Sequence, residues 1–452
     1  MHKTIAKITE KYQQSGHRTQ LLIKNIVASF GIKAWSLLVQ LLLVPVTLNC
    51  LTVYEYGIWL TLNSVMLWMD NFDIGLGNGL RNKLAEAIAK DDRLLARQLI
   101  STAVISLSAL AVIIYIVLAI IVQTQDLYSL LNVEANAVPN LHLVIQMLCI
   151  TICITFVAKL IGNIFLALQL PALNNLMASI ASTLSLLFIW LLSVNGIKDF
   201  MLVCLTFTLM PLISYYGFSL YAFKFRYKFL CPSFMYFKKE LVKSLMNLGI
   251  KFFIGQLSGM LLMSTANIVI SKALTPAEVT PYQIAYRYFT MLIIVFTLIS
   301  SPIWSSTTDA YSRGDMKWIS STLKKLEYIV AGSFVLLVIM LMVSKWFYLL
   351  WVGDKVSVDF SLSASVALYA FILLVSMCYS NIIYGIGKMN LTVVTVCIMS
   401  LIFIFSAYPV TKHYGVRGMV ILQSVVTLVC TLQNLIQCKL LLAGKAHGIF
   451  NQ

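Results

Sequence analysis

Charge is scarce in this chain. Asp, Glu, Lys and Arg make up 11% of its 452 residues, against 60% hydrophobic side chains and a mean hydropathy of +0.88. So little polar surface excludes a water-soluble globule. Acidic residues are the scarcest class, 17 against 33 Lys and Arg. Long polar stretches are missing too, which leaves no room for a soluble domain. Cysteine is present, but no pair has Cys-x-x-Cys spacing and most lie within or at the ends of apolar runs, so neither a disulfide framework nor a metal site is expected. The five histidines, His2, His17, His142, His413 and His447, lie at ends and connections, away from any buried metal centre. Residues 1–20 lack the short apolar core and small-residue cleavage site of a signal peptide, so the first apolar run is itself read as the targeting signal.

What the chain does have is apolar runs, and a helix needs about 20 such residues to cross a bilayer. Spans are expected near 21–48, 55–74, 99–123, 140–168, 172–194, 199–223, 241–271, 282–308, 325–351, 361–386, 391–411 and 416–442. The fold class is therefore an all-α integral membrane protein with about twelve transmembrane helices. Its net charge of +16 is distributed in a way that argues against nucleic acid as a partner. Lys and Arg crowd before span 1 and in the connections 2–3, 6–7 and 8–9, all on one side of the membrane, while the other side has only Lys198, Lys272, Lys355, Lys412 and Arg417, together with Glu55, Asp126, Glu134, Asp199, Glu278, Asp354 and Asp359. The positive-inside rule then places both termini in the cytoplasm.

The strongest internal signal is a repeat. Phe30-Gly31-Ile32-Lys33-Ala34-Trp35 in span 1 is echoed by Leu248-Gly249-Ile250-Lys251-Phe252-Phe253 in span 7, with the lysines 218 residues apart. Asn163-Ile164 and Asn381-Ile382 show the same offset, and the turn at Lys90-Asp91-Asp92 resembles that at Arg313-Gly314-Asp315. These pairs are six spans apart, an even number, so the two halves insert with the same orientation as parallel repeats. The chain divides accordingly into a segment 1–20, an N-lobe 21–223, a linker 224–240, a C-lobe 241–442 and a tail 443–452. The linker alternates basic and aromatic residues and suits the lipid headgroup layer, with anionic membrane lipids as partners.

A charge buried in a membrane helix costs roughly 2.5 to 3.5 kcal/mol on insertion scales, so one that is kept usually faces a cavity, a partner or a ligand. Lys33 and Lys251 lie near the middle of their spans, Arg287 about two turns from one end of span 8, and Lys159 about two turns from one end of span 4. Together these cations point to a site for a diphosphate or a sugar acid. Asp70 and Asp73, three residues apart on span 2, either neutralise Lys33 or bind a coupling proton or sodium ion; no other cofactor is expected. Gly75-Leu76-Gly77-Asn78-Gly79-Leu80-Arg81 lacks the strand context of a phosphate loop and is expected to break span 2 from an amphipathic segment 80–90, with Arg81 a candidate contact for an entering phosphate.

Lys24-Asn25, Ser29, Lys33, Val44-Pro45, Tyr56-Gly57-Ile58-Trp59, the run Asp73-Ile74-Gly75-Leu76-Gly77-Asn78-Gly79-Leu80-Arg81-Asn82 and the Lys90-Asp91-Asp92 turn resemble the amino-terminal half of Wzx-type O-antigen and polysaccharide flippases. These belong to the multidrug/oligosaccharidyl-lipid/polysaccharide exporter (MOP) superfamily. The resemblance implies a MATE-like fold of two six-helix bundles around a cationic cavity. It further implies transport of a polyprenyl-diphosphate-linked oligosaccharide from inner to outer leaflet of a bacterial inner membrane by alternating access. The protein would act as a monomer, alongside polysaccharide polymerase machinery. Related flippases of peptidoglycan precursors carry arginines in the cavity where spans 1 and 7 here carry lysines. Two rivals are a multidrug exporter, which needs an acidic cavity for organic cations, and a membrane polymerase or glycosyltransferase, which needs a larger outer loop than the one near 123–140.

Overall fold

Helices form wherever apolar runs allow them in the computed structural model, which describes residues 17–69, 75–168, 170–246 and 265–451. Among the described residues there is no strand. In hydrocarbon every backbone N–H and C=O must be paired within its own segment, which a helix does and an isolated strand does not. Eight of the described helices are long and apolar enough to cross a membrane. The protein is a multi-pass membrane protein.

The elements in order are α1 (His17–Cys50), α2 (Val53–Met69), α3 (Leu76–Ala89), α4 (Arg93–Thr124), the short α5 (Leu127–Leu131), α6 (Leu141–Ala158), α7 (Leu160–Ala167), α8 (Pro171–Val194) and α9 (Phe200–Tyr221). After the linker and the helical residues 239–246 and 265–273 come α10 (Pro276–Ser312), α11 (Met316–Val352), α12 (Phe360–Ile386) and α13 (Asn390–Leu442). Their starts follow local chemistry. Asp92, Asp199 and Asp315 each cap a helix by accepting from the backbone N–H three residues on, and Pro171 opens α8, where its missing N–H costs nothing.

Two elements are broken, each at a readable position. α6 and α7 are one span interrupted at Lys159, where the Gly162 N–H reaches the Lys159 carbonyl at 2.9 Å, the tighter spacing of a 3₁₀ turn. α13 would be far too long for a bilayer if straight. It departs from helical geometry at Gly415 (φ 67°, ψ −165°), a conformation essentially reserved for glycine. There the chain folds back, so that the Thr392 hydroxyl donates to Asn434 Oδ1 at 2.9 Å.

Contacts divide the chain into two compact units. The first contains α1, α3, α4, α6–α9 and the linker. Its helices α1 and α8 pack together, with Trp35 Nε1 donating to Thr183 Oγ1 at 2.9 Å. The linker is ordered. It folds over the start of α4 as short turns, the Arg97 Nε donating to the Cys231 carbonyl at 2.9 Å and its guanidinium lying 4.2 Å from the Tyr236 ring centroid. The Ser233 and Lys238 N–H groups donate to Ser101 Oγ and Thr102 Oγ1, both at 3.1 Å.

The second unit contains α2, α5, residues 265–273 and α10–α13. The grouping does not follow chain order, because α2 packs against α10. The Thr280 hydroxyl donates to the Val53 carbonyl at 2.8 Å, and Gly57 lies directly against the Pro276 carbonyl, where any β-carbon would overlap it.

Candidate functional site

The richest polar cluster in the second unit sits on α10 and the helices around it. Arg287 is half-buried, and its charge reaches the phenol of Tyr56 on α2, a side chain only 3% exposed. One turn before Arg287, Gln283 Nε2 donates to Asn267 Oδ1 at 2.7 Å. The Asn267 Nδ2 in turn donates to Ser64 Oγ at 2.8 Å and to the Leu60 carbonyl at 3.3 Å, so amide groups tie α10, residues 265–273 and α2 into one chain of hydrogen bonds. Aromatic rings continue along α10: Tyr282 and Tyr286 have centroids 5.8 Å apart, and Tyr286 stacks on Tyr369 of α12 at 6.3 Å. A guanidinium with amides one turn away and tyrosines alongside combines charge-assisted donors with hydrogen-bonding groups, the chemistry that recognises an anion with polar substituents.

The other expected site residues that are described belong to the first unit. Lys33 is half-buried on α1; Arg81 on α3 and Lys159 at the α6–α7 break are exposed. Lys251, Asp70 and Asp73 lie outside the described residues.

The glycine-rich run behaves differently from the expectation. Only Gly75 takes a left-handed conformation (φ 75°) and starts α3; Gly77 and Gly79 lie inside the helix, which begins at Leu76 and not at 80. The reason is packing, since Gly79 is pressed against the Leu245 carbonyl where a side chain would not fit. At the end of α3, Lys90 donates to Glu86 Oε1 at 2.8 Å, and this bond holds the Glu86 carboxyl below its usual range.

The sequence pattern of the polysaccharide biosynthesis protein family matches residues 22–307. The chain belongs to that family. Among its relatives are a candidate O-antigen transporter of Salmonella typhimurium, 23% identical over 59% of this chain, and a candidate O-antigen export protein of Yersinia pseudotuberculosis, 21% identical over 63%. The chain spans 60% and 65% of the length of these two relatives. Its fold is that of the MATE transporters. An inward-facing MATE transporter of the MOP superfamily superposes with a TM-score of 0.78 at 16% identity, over 93% of this chain and 98% of that one. A MOP superfamily transporter from Pyrococcus furiosus superposes at 0.56 and 15% identity, over 94% and 95%. The resemblance to polysaccharide flippases read from residues 24 to 92 is thus borne out by family, relatives and fold.

For a member of the polysaccharide biosynthesis protein family, two polar features went unread in the sequence. Asn267 and Gln283 are uncharged, so a search for ionisable groups at depth passes over them. The available signal was Gln283 one helical turn from Arg287 in an otherwise apolar and aromatic segment. Glu327 lies two residues inside the expected span 9, and the structure gives its Oε1 to the Tyr379 hydroxyl at 2.9 Å.

Proposed function

We propose that the protein is a flippase that carries a polyprenyl-diphosphate-linked oligosaccharide from the inner to the outer leaflet of a bacterial inner membrane by alternating access. The observation that carries this reading is the family match across residues 22–307 in a chain with a transporter fold. In this proposal Arg287 contacts the diphosphate, joined by Lys33, Lys251, Lys159 and Arg81, and the half-buried Gln283, held in place by the buried Asn267, meets sugar hydroxyls. Asp70 and Asp73 bind the coupling proton or sodium ion. The protein acts as a carrier, not an enzyme, as a monomer with both termini in the cytoplasm, and hands its product to polysaccharide polymerase machinery.

The test is reconstitution of the full chain into vesicles with a defined lipid-linked oligosaccharide, following its appearance in the opposite leaflet. A charge-assisted contact is worth about 1.5 to 3 kcal/mol, so Arg287→Ala is expected to lower transport by about one to two orders of magnitude while leaving the melting temperature near wild type. Arg287→Lys should recover part of the loss. Wild-type transport by Arg287→Ala, Lys33→Ala and Lys251→Ala alike would refute the shared anion site. Failure of the wild-type protein to move any lipid-linked sugar, together with efflux of organic cations, would refute the flippase reading.

A further inference from the structure

Two adjoining cavities run along the outside of the first unit. One, of about 490 Å³, is lined by Val104, Val157, Ile161, Leu220 and neighbours and ends at Lys224 and Pro232 of the linker. The second, of about 470 Å³, continues from it through Val157 and Tyr216 to Ala111, Tyr115 and Ile150. Val157 and Tyr216 line both, so they form one groove between α4, α6 and α9. Its flanks are exposed and apolar: Val112, Ile154 and Leu220 are 57%, 42% and 61% exposed. In a bilayer such a face meets lipid.

Length and charge select the occupant. From Val104 to Tyr115 the groove follows α4 for about 16 Å at about 1.5 Å per residue, roughly half of a hydrocarbon core of about 30 Å. That is the depth of one leaflet. At the linker end the groove is cationic, for Lys224 lines it and is followed by Arg226, Lys228, Lys238 and Lys239, with no Asp or Glu between 224 and 239. The linker is held over this end by Arg97, Ser101 and Thr102, and it presents Phe225, Phe234 and Met235 at 67%, 85% and 80% exposure. Exposed apolar side chains among cations are the composition of a segment seated at the headgroup level.

We propose that this groove binds one acyl chain of an anionic glycerophospholipid, with its phosphate held at Lys224. The linker is then the lid of a lipid site that is separate from the Arg287 cluster and does not depend on which substrate is carried.

Native mass spectrometry of the delipidated full-length protein, titrated with phosphatidylglycerol or with phosphatidylcholine of the same chains, tests it. One phosphatidylglycerol is expected to be retained at a concentration about five-fold lower than phosphatidylcholine, the effect of roughly one surface cation. Val157→Trp, which fills the shared part of the groove, should abolish retention of both lipids. Lys224→Gln, at an exposed position where folding is not at stake, should abolish only the preference. Equal retention of the two lipids by wild type, or an unchanged preference in Lys224→Gln, would overturn the proposal even if Val157→Trp failed to fold. Displacement of phosphatidylglycerol by a polyprenyl phosphate at lower concentration would also overturn it, assigning the groove to an isoprenoid chain.

Discussion

The carbonyl oxygen of Pro276 occupies the space where a β-carbon of Gly57 would stand. Two backbones can approach this closely only at a residue without a side chain, the device by which membrane helices pack when there is no hydrophobic force between them. Gly57→Ala should therefore push α2 away from the start of α10 and strain the neighbouring Thr280 bond to Val53. The expected loss is about 1 to 3 kcal/mol, the usual penalty of overpacking. A lowered melting temperature in detergent, with Gly57→Ser at least as severe, is the check.

A second glycine comparison separates conformation from space. Gly415 and Gly332 both have open space at the β position, yet only Gly415 has a positive φ, of 67°. Gly415→Ala should destabilise by about 1 to 3 kcal/mol through backbone strain alone. Gly332→Ala, within helix α11, should stabilise by about 0.5 to 1 kcal/mol, because alanine loses less backbone freedom on folding. Thermal unfolding of the two variants should move in opposite directions.

Asn267 is 6% exposed and bonds in both directions, accepting from Gln283 and donating to Ser64 and Leu60. Asn267→Ala leaves the Gln283 amide without that acceptor and should cost about 1 to 3 kcal/mol. Because the two amides share a bond, the double variant Asn267→Ala/Gln283→Ala should cost less than the sum of the singles. A double-mutant cycle by chemical denaturation in detergent would show additivity if the bond were of no consequence.

Asp359 accepts from Ser361 Oγ at 2.8 Å and pairs with Arg417; the Ser361 bond first, then the Arg417 charge, hold its carboxyl below the usual value. A carboxyl lowered in the folded state contributes stability that is present above its unfolded pKa of about 3.9 and is lost as pH falls below that value, through the folded one. Both side chains are more than half exposed, so the effect is small and screened by salt. Melting of Asp359→Asn and wild type should differ at pH 7 in low salt, and the difference should shrink as pH falls below about 3.9.

The helices were legible because bilayer thickness fixes their length and the apolar runs show it. The end of span 11 at 411 and the start of span 12 at 416 bracket Gly415, where the structure breaks α13. Neighbour relations were not legible in the same way. Hydropathy says that 55–74 crosses, not what it packs against, and the glycine that sets its packing is one residue in a run of large apolar side chains. The candidate site was half read for a related reason. Arg287 stands out because charge in hydrocarbon is costly, whereas Asn267 and Gln283 satisfy each other and leave no mark in a charge count. The Gly75–Gly79 run was read as a breaker throughout, but only Gly75 breaks. Whether a glycine is needed for its dihedral or for its lack of a side chain is settled by what lies opposite, here Leu245.

The fold-back at Gly415 bears on what the chain tolerates at this corner. Thr392 and Asn434 bond across two segments joined at a single non-helical residue, and the polar groups at this corner, Lys412, His413 and Arg417, are carried on the helices themselves. Two spans joined this way have no loop to take up an inserted residue. Residues added beside Gly415 would therefore shift one span against the other and break the Thr392–Asn434 bond.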